Sequence, residues 1–241
     1  LRSQSAAPVA PPAAQLPAVA TDPAAELPLE PSIRAGRLPN GLRYFLRQNA
    51  RPARRVSLRL AVDVGSLHED DDQRGLAHFL EHMAFNGSTN FKPGELVAFL
   101  ESIGARFGPH VNASTSFDET IYMLDVPTDR DGYVDKGLLA LRDFAGGASL
   151  TGEEIDKERG VVLEEWRGRL GASSRVTDQQ LPILFAGSRY ADRLPIGLPD
   201  TLRTFPHERL RAFYRTWYRA DRMAVVVAGD LSLDEAERLV R

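Results

Sequence analysis

The sequence of 241 residues contains no cysteine. A thiolate zinc site, a disulfide framework and a cysteine nucleophile are therefore excluded. If the chain binds a metal ion, the ligands have to come from histidine, aspartate or glutamate side chains. The absence of cysteine is also compatible with a protein that works in an oxidising compartment.

Long apolar runs and an excess of positive charge are also missing. No apolar run approaches the roughly 18 residues that a membrane-spanning helix needs, so we expect no transmembrane segment. The formal net charge of −3 argues against a nucleic-acid partner held by a basic surface. A composition of 43% hydrophobic and 26% charged residues is ordinary for a globular domain.

Residues 1–32 differ in composition from the rest of the chain. They are rich in alanine and proline and show neither helical nor strand periodicity, which is typical of an extended, disordered tether. The first residue is Leu1 and not methionine, which indicates a processed product or a piece of a longer protein. Such a tether fits an exported, periplasmic protein, although an ordinary disordered terminus and a cytoplasmic location stay open.

Residues 33–241 carry the patterns of a folded domain. An Asn-Gly pair at residues 40–41 between apolar flanks predicts a hairpin. The acids at residues 69–72 are expected in a solvated loop and helix start and not in a second metal site. Strands come first as a hairpin and meander and helices are interspersed later, which favours an α+β domain with helices packed on a mainly antiparallel sheet. We predict strands at 42–47, 56–64, 111–116, 120–126 and 223–228, helices at 73–85, 93–103, 133–145, 151–169, 174–185, 207–218 and 233–241, and a loop at 194–206.

Histidine is scarce, yet two of the five histidines fall in one pentapeptide, His78-Phe79-Leu80-Glu81-His82. Side chains four residues apart lie on one face of a helix, so both imidazoles can reach the same metal ion. Glu81 is close enough on that face to hold a water at the metal. The pattern suits metal-assisted hydrolysis and reverses the order of the HExxH motif of metalloproteases. The alternative is a surface helix that carries these residues by chance.

A catalytic zinc usually has three protein ligands, so a third donor is expected elsewhere in the chain. Glu158 and Glu165 are seven residues apart and share one face of the helix predicted from residue 151. Val161 and Val162 lie between them and are expected on the same inner face. These residues alone leave both glutamates open as the third ligand. The other glutamates of this helix are expected to face solvent: Glu153, Glu154 and Glu164.

Longer strings connect the pentapeptide to a known family. It continues to residue 87 as HFLEHMAFNG, and further strings follow at residues 111–113 (VNA), 115–122 (TSFDETIY), 158–165 (ERGVVLEE), 189–197, 213–218 and 225–230. In this order, over about residues 36–241, the chain resembles the pitrilysin/insulysin/mitochondrial processing peptidase family of inverzincin zinc metallopeptidases.

The resemblance implies a half-clamshell domain of a zinc endopeptidase. It implies that Zn²⁺ is bound by His78, His82 and Glu165, and that Glu81 is the base that takes a proton from water. The family's usual spacing between the second histidine and the third ligand, counted from His82, points to Glu158. The local string instead has Glu165 at the family's ligand position, and Glu158 then orients a ligand histidine.

The resemblance also extends to substrate binding. Asn112, Ala113 and Ser114 resemble the family's edge strand, on which the substrate backbone pairs as an added β-strand. The expected substrates are peptides or unfolded proteins. His110 and Ser114 depart from the residues that the family commonly has there, which leaves the side-chain preference open and does not affect the chemistry.

Family enzymes enclose their substrate between two homologous halves, and the far half supplies an Arg-Tyr pair. Arg189-Tyr190 belongs to a different motif, so the chain is expected to need a second homologous domain or subunit. Alone, it is expected to bind zinc and to hydrolyse peptides poorly. The alternatives are a non-catalytic structural or partner subunit of the same fold and a metal hydrolase of a non-peptide substrate.

Overall fold

The computed structural model describes residues 28–106 and 108–241. Within these ranges, Ser32–Arg241 form one compact unit. Most of the predicted tether, residues 1–27, lies outside the described residues, so the boundary at residue 33 stays a prediction. No helix in the described ranges combines the length and the apolar character that crossing a membrane requires.

In the described part of the chain, six strands form one sheet. They are β1 (Ile33–Arg37), β2 (Arg43–Gln48), β3 (Arg55–Val62), β4 (Val111–Thr115), β5 (Thr120–Pro127) and β6 (Met223–Gly229). Their spatial order is β1-β2-β6-β3-β5-β4, and every neighbouring pair is antiparallel except β2 and β6. The predicted α+β class with a mainly antiparallel sheet is confirmed.

The sequence pattern explains how the strands are placed. Apolar residues at every second position of β3 are buried, while the residues between them are partly exposed, as expected for a strand with one face on the core. The hairpin of β1 and β2 turns at Asn40-Gly41, where Gly41 has a φ of +97° that glycine adopts readily. The predicted hairpin is therefore confirmed.

The described ranges also contain eight α-helices. They are α1 (Leu76–Met83), α2 (Glu95–Ser102), α3 (Tyr133–Gly146), α4 (Gly152–Gly168), α5 (Ala172–Leu184), α6 (Pro199–Thr204), α7 (His207–Trp217) and α8 (Leu233–Val240). Helix α3 packs on β3 and β5, whereas α1 contacts α4, α7 and β4. Helix α1 therefore lies between the sheet edge at β4 and the long helix α4.

Three local predictions were wrong. The segment 194–206 was predicted as a loop but contains α6. Helix α1 begins at Leu76 instead of residue 73, because Gly75 has a φ of +105°, outside the helical region. Glu69 was predicted in a solvated loop but is completely buried, and only the three aspartates that follow it are exposed.

Candidate metal centre

Helix α1 is amphipathic, with one apolar face and one polar face. Its apolar residues are buried in the core: Leu76, Phe79, Leu80 and Met83. His78 and His82 lie on the other side and are only partly buried. Their rings meet edge to face with centroids 4.7 Å apart. The four-residue spacing therefore places both imidazoles side by side, as the sequence predicted.

Three donor atoms converge at this point. The Nε2 atoms of His78 and His82 are 3.3 Å apart. Glu165 Oε2, from α4, lies 3.6 Å from His78 Nε2 and 3.3 Å from His82 Nε2. Ligands at about 2.0–2.1 Å from a tetrahedral zinc ion are about 3.3–3.4 Å from one another. The donor set and its spacing thus fit a zinc ion with one open position.

Glu158 supports this cluster from behind. Its Oε1 lies 2.9 Å from His82 Nδ1, and its Oε2 accepts a hydrogen bond from Asn86 Nδ2 at 2.5 Å. The structure therefore gives the two candidate glutamates different positions, with Glu165 facing the Nε2 atoms and Glu158 facing the outer nitrogen of one ring. Val162 is buried between them, but Val161 is 53% exposed, so its predicted inward position was wrong.

The two histidines have opposite pKa shifts. Burial, followed by the charge of His82, lowers the pKa of His78 to about 4, which leaves its imidazole neutral at neutral pH. Burial also acts to lower the pKa of His82, but its bonds to Glu158 and Glu165 outweigh this effect and raise the pKa to about 9. A metal ion binding at His82 would consequently release a proton.

The carboxyl group of Glu81 lies next to the cluster without being part of it. Glu81 is 8% exposed, and Thr115 Oγ1 of β4 donates a hydrogen bond to its Oε2 at 2.5 Å. Burial raises the pKa of Glu81, while the hydrogen bond from Thr115 opposes that shift. A carboxylate whose pKa is raised towards neutral pH is better suited to accept a proton during catalysis.

The start of α1 is held by a residue that the sequence did not reveal as important. Glu69 Oε1 accepts a hydrogen bond from the backbone N–H of Ala77 at 2.8 Å, and its Oε2 accepts one from Gly75 at 3.0 Å. These are backbone donors of the first helical turn, which otherwise lack partners. In the sequence, Glu69 is recognisable only as an acid shortly before an apolar helix. Because it precedes Gly75 by six positions, the sequence did not identify it as a cap.

Strand β4 forms one edge of the sheet and in the described part of the chain pairs with β5 alone. Asn112 and Ser114 are exposed, and Ala113 is partly exposed. The strand lies against α1. The structure thus brings the predicted substrate-binding residues to a free edge next to the helix that carries both histidines.

The other three histidines serve elsewhere. His68 packs edge to face on Trp217, with ring centroids 4.8 Å apart. His207 Nε2 lies 2.7 Å from an Asp156 carboxylate oxygen. The Nδ1 of His110 accepts a hydrogen bond from the Arg106 backbone at 3.2 Å. In the described ranges, the one grouping of donors suited to a metal ion is His78, His82 and Glu165.

The model of the insulinase (peptidase M16) family matches residues 44–182, which is more than half of the chain. This chain belongs to the M16 peptidase family. A second model, of the M16 inactive domain, matches residues 204–241. The predicted family is confirmed.

Curated relatives include proteins named as zinc proteases. The zinc protease PQQL-like of Arabidopsis thaliana is 46% identical over 195 residues, which are 81% of this chain and 20% of that protein. The probable zinc protease PqqL of Escherichia coli (strain K12) is 40% identical over 215 residues, 89% of this chain and 23% of that protein. The M16 chain thus spans about a fifth to a quarter of the length of these relatives.

Solved structures agree with the fold. The crystal structure of the first half of the periplasmic protease PqqL from Escherichia coli has a TM-score of 0.86 and 40% identity, and the match covers 90% of this chain and 46% of that one. The ferredoxin protease FusC, solved in complex with Arabidopsis ferredoxin, has a TM-score of 0.80 and 36% identity over 86% of this chain and 23% of that one. The predicted half-clamshell fold of an M16 protease is therefore confirmed.

Proposed function

We propose that this chain is the zinc-bearing domain of an endopeptidase that hydrolyses peptides or unfolded proteins. The observation that carries the proposal is the convergence of one oxygen and two nitrogen donors, 3.3–3.6 Å apart, beside a buried carboxyl group. Membership of the M16 family and relatives named as zinc proteases support it.

In this proposal His78, His82 and Glu165 hold the zinc ion. When bound, zinc supplies Lewis acidity towards the scissile carbonyl and lowers the pKa of a water to about 7. Glu81 accepts the proton of the attacking water and transfers it to the leaving amine. Glu158 fixes the orientation of the His82 ring through the Nδ1–H group, as partners of ligand histidines commonly do.

Strand β4 binds the substrate in this proposal. The free edge at Asn112, Ala113 and Ser114 accepts the peptide backbone as an additional strand, which brings a scissile bond towards α1. Backbone hydrogen bonds do not depend on the side chains of the substrate. We therefore expect a broad sequence preference and a strong requirement for an extended, unfolded segment.

The proposal includes a second homologous domain that closes over the substrate. The chain matches about half of the first half of PqqL and 24% of the complete PqqL structure, so the relatives contain further domains. We also propose export to the periplasm, supported by the alanine- and proline-rich residues 1–32 and by the description of the Escherichia coli relative as periplasmic.

The deciding experiment compares the full polypeptide that contains this chain with its Glu81→Gln variant. We expect the variant to keep its zinc and to lose turnover of an unfolded peptide by about a hundredfold or more, because the proton acceptor is removed. Glu101→Gln, an exposed residue of α2, is the matched control. Undiminished turnover in Glu81→Gln would show that Glu81 is not the base, whereas a parent protein without peptide turnover would favour the non-catalytic partner subunit. Zinc is quantified by metal analysis in all three proteins.

A further inference from the structure

The carboxylate of Glu81 receives one side-chain hydrogen bond from the described part of the chain, and it comes from a strand. Thr115 is the last residue of β4, and its Oγ1 lies 2.5 Å from Glu81 Oε2. The two residues are 34 positions apart in sequence. A contact over this separation exists only because α1 packs against the sheet edge.

The Thr115 hydroxyl donates its one proton to the Glu81 carboxylate. Thr120 is paired with Thr115 across β4 and β5, and their hydroxyl oxygens are 3.4 Å apart. The Thr120 hydroxyl donates to the Val64 carbonyl at 2.9 Å, a shorter contact than the one to Thr115. Each hydroxyl has one proton to donate, so this arrangement leaves Thr115 to donate towards the carboxylate.

The Thr115 side chain is also rigid enough to hold its partner. A β-branched residue in a strand has few accessible χ1 rotamers, and Thr115 is partly buried. The hydroxyl holds Oε2 of Glu81, and the carboxylate keeps lone pairs that can take up a proton. Without this hydrogen bond, the carboxyl group could rotate about its terminal torsion, which is a soft one.

We propose that Thr115 is a positioning residue that orients the Glu81 carboxylate for proton transfer and couples this orientation to the strand that binds substrate. This inference rests on the proposed function of Glu81. The same strand, β4, presents Asn112, Ala113 and Ser114 at its free edge. A peptide that pairs with these residues therefore docks on the element whose last residue holds the base.

The test uses the full polypeptide with Thr115→Val, which keeps the shape of the side chain and removes the donor, and with Thr115→Ser, which keeps the hydroxyl. We expect Thr115→Val to lower kcat by about ten- to a hundredfold, as estimated from the strength of hydrogen bonds to charged groups. KM and the zinc content are expected to stay within about twofold of the parent protein, since the metal donors and the strand edge are untouched. Thr115→Ser is expected to restore most of kcat.

Thr204→Val is the matched control, because its hydroxyl is exposed on α6 and bonds only locally, to the Asp200 carbonyl at 2.8 Å. An undiminished kcat in Thr115→Val would overturn the inference, as would an equal loss in Thr115→Ser or a loss of zinc. These outcomes leave the proposed function intact if the parent protein is active and Glu81→Gln is not. A parent protein without zinc-dependent peptidase activity overturns both.

Discussion

The two histidines of the site differ in the surroundings of their outer ring nitrogens. His82 Nδ1 faces the Glu158 carboxylate at 2.9 Å, whereas His78 Nδ1 is buried and has no hydrogen-bond partner in the described part of the chain. A partner at the outer nitrogen fixes the tautomer and the orientation of a ligand histidine. His78 therefore depends on packing for its orientation, and His82 depends on Glu158.

This difference predicts the effect of Glu158→Gln on metal binding. The variant keeps an oxygen that can accept from His82 Nδ1 but loses the negative charge and one acceptor, so we expect zinc affinity to fall by about tenfold or more. Competition with a chelator measures the affinity. Glu153→Gln, an exposed residue of the same helix, is the control and should bind zinc like the parent protein. Equal affinities in both variants would contradict the role of Glu158.

The site residues differed in how far the sequence could predict them. Spacings of four and seven residues within single helices brought His78 and His82 together and placed Glu158 and Glu165 on one face, because helix geometry is local. The contact of Thr115 with Glu81 joins a strand to a helix, so no periodicity indicated it. The residues alone left Glu158 and Glu165 open as ligands. The family resemblance favoured Glu165, and the structure gives the two glutamates different positions.

At the level of elements, the stability of the chain is expected to depend on pH because Glu69, which holds the start of α1, is buried and can titrate. Burial raises the pKa of Glu69 from an ordinary 4.5 to about 8, against the opposing effect of the backbone N–H groups of Ala77 and Gly75. Between these two pH values the folded chain holds a proton that the unfolded chain has released. Because the folded state binds more protons, the free energy of unfolding falls as the pH rises through this window.

We therefore expect Glu69→Gln to weaken the pH dependence of stability between pH 5 and pH 8, since the glutamine cannot titrate. Urea unfolding of the chain at both pH values gives the free energies to compare. The variant also loses one acceptor for the start of α1, which should lower its stability at pH 5. The exposed Glu119→Gln serves as control, and a variant at Glu69 that keeps the full pH dependence would disprove the assignment.

Most elements were predictable because their patterns are periodic, while their arrangement was not. Strand β3 alternates buried and partly exposed residues along its length, and this pattern is visible in the sequence. The parallel pairing of β2 with β6 joins Arg43 to Ala224 and depends on the whole chain between them. The start of α1 was misplaced because the left-handed backbone of Gly75 is a tertiary feature, in contact with Gly197 and Leu202.

On the scale of the whole molecule, one apolar surface has no cover within the described residues. Helix α5 has no buried residue, and its Val176, Ile183 and Leu184 are 51%, 76% and 72% exposed. We therefore expect these residues of α5 to contact another domain or subunit. The helix follows directly after α4, which carries Glu165, and the chain spans about a quarter of the length of PqqL relatives. These observations fit an active site that further domains complete.

The 241-residue chain alone is consequently expected to bind zinc with an affinity within about tenfold of the full polypeptide, because all three donors and Glu158 belong to α1 and α4. Its kcat/KM on an unfolded peptide is expected to be about a hundredfold lower or more, since in the proposed function a second domain contributes groups that stabilise the transition state and exclude water. Parallel zinc titrations and peptide assays of the two proteins measure both quantities. Equal peptidase activity would show that α1, α4 and β4 form a complete active site, whereas a loss of zinc binding in the shorter chain would show that the donors need the remaining domains to stay in place.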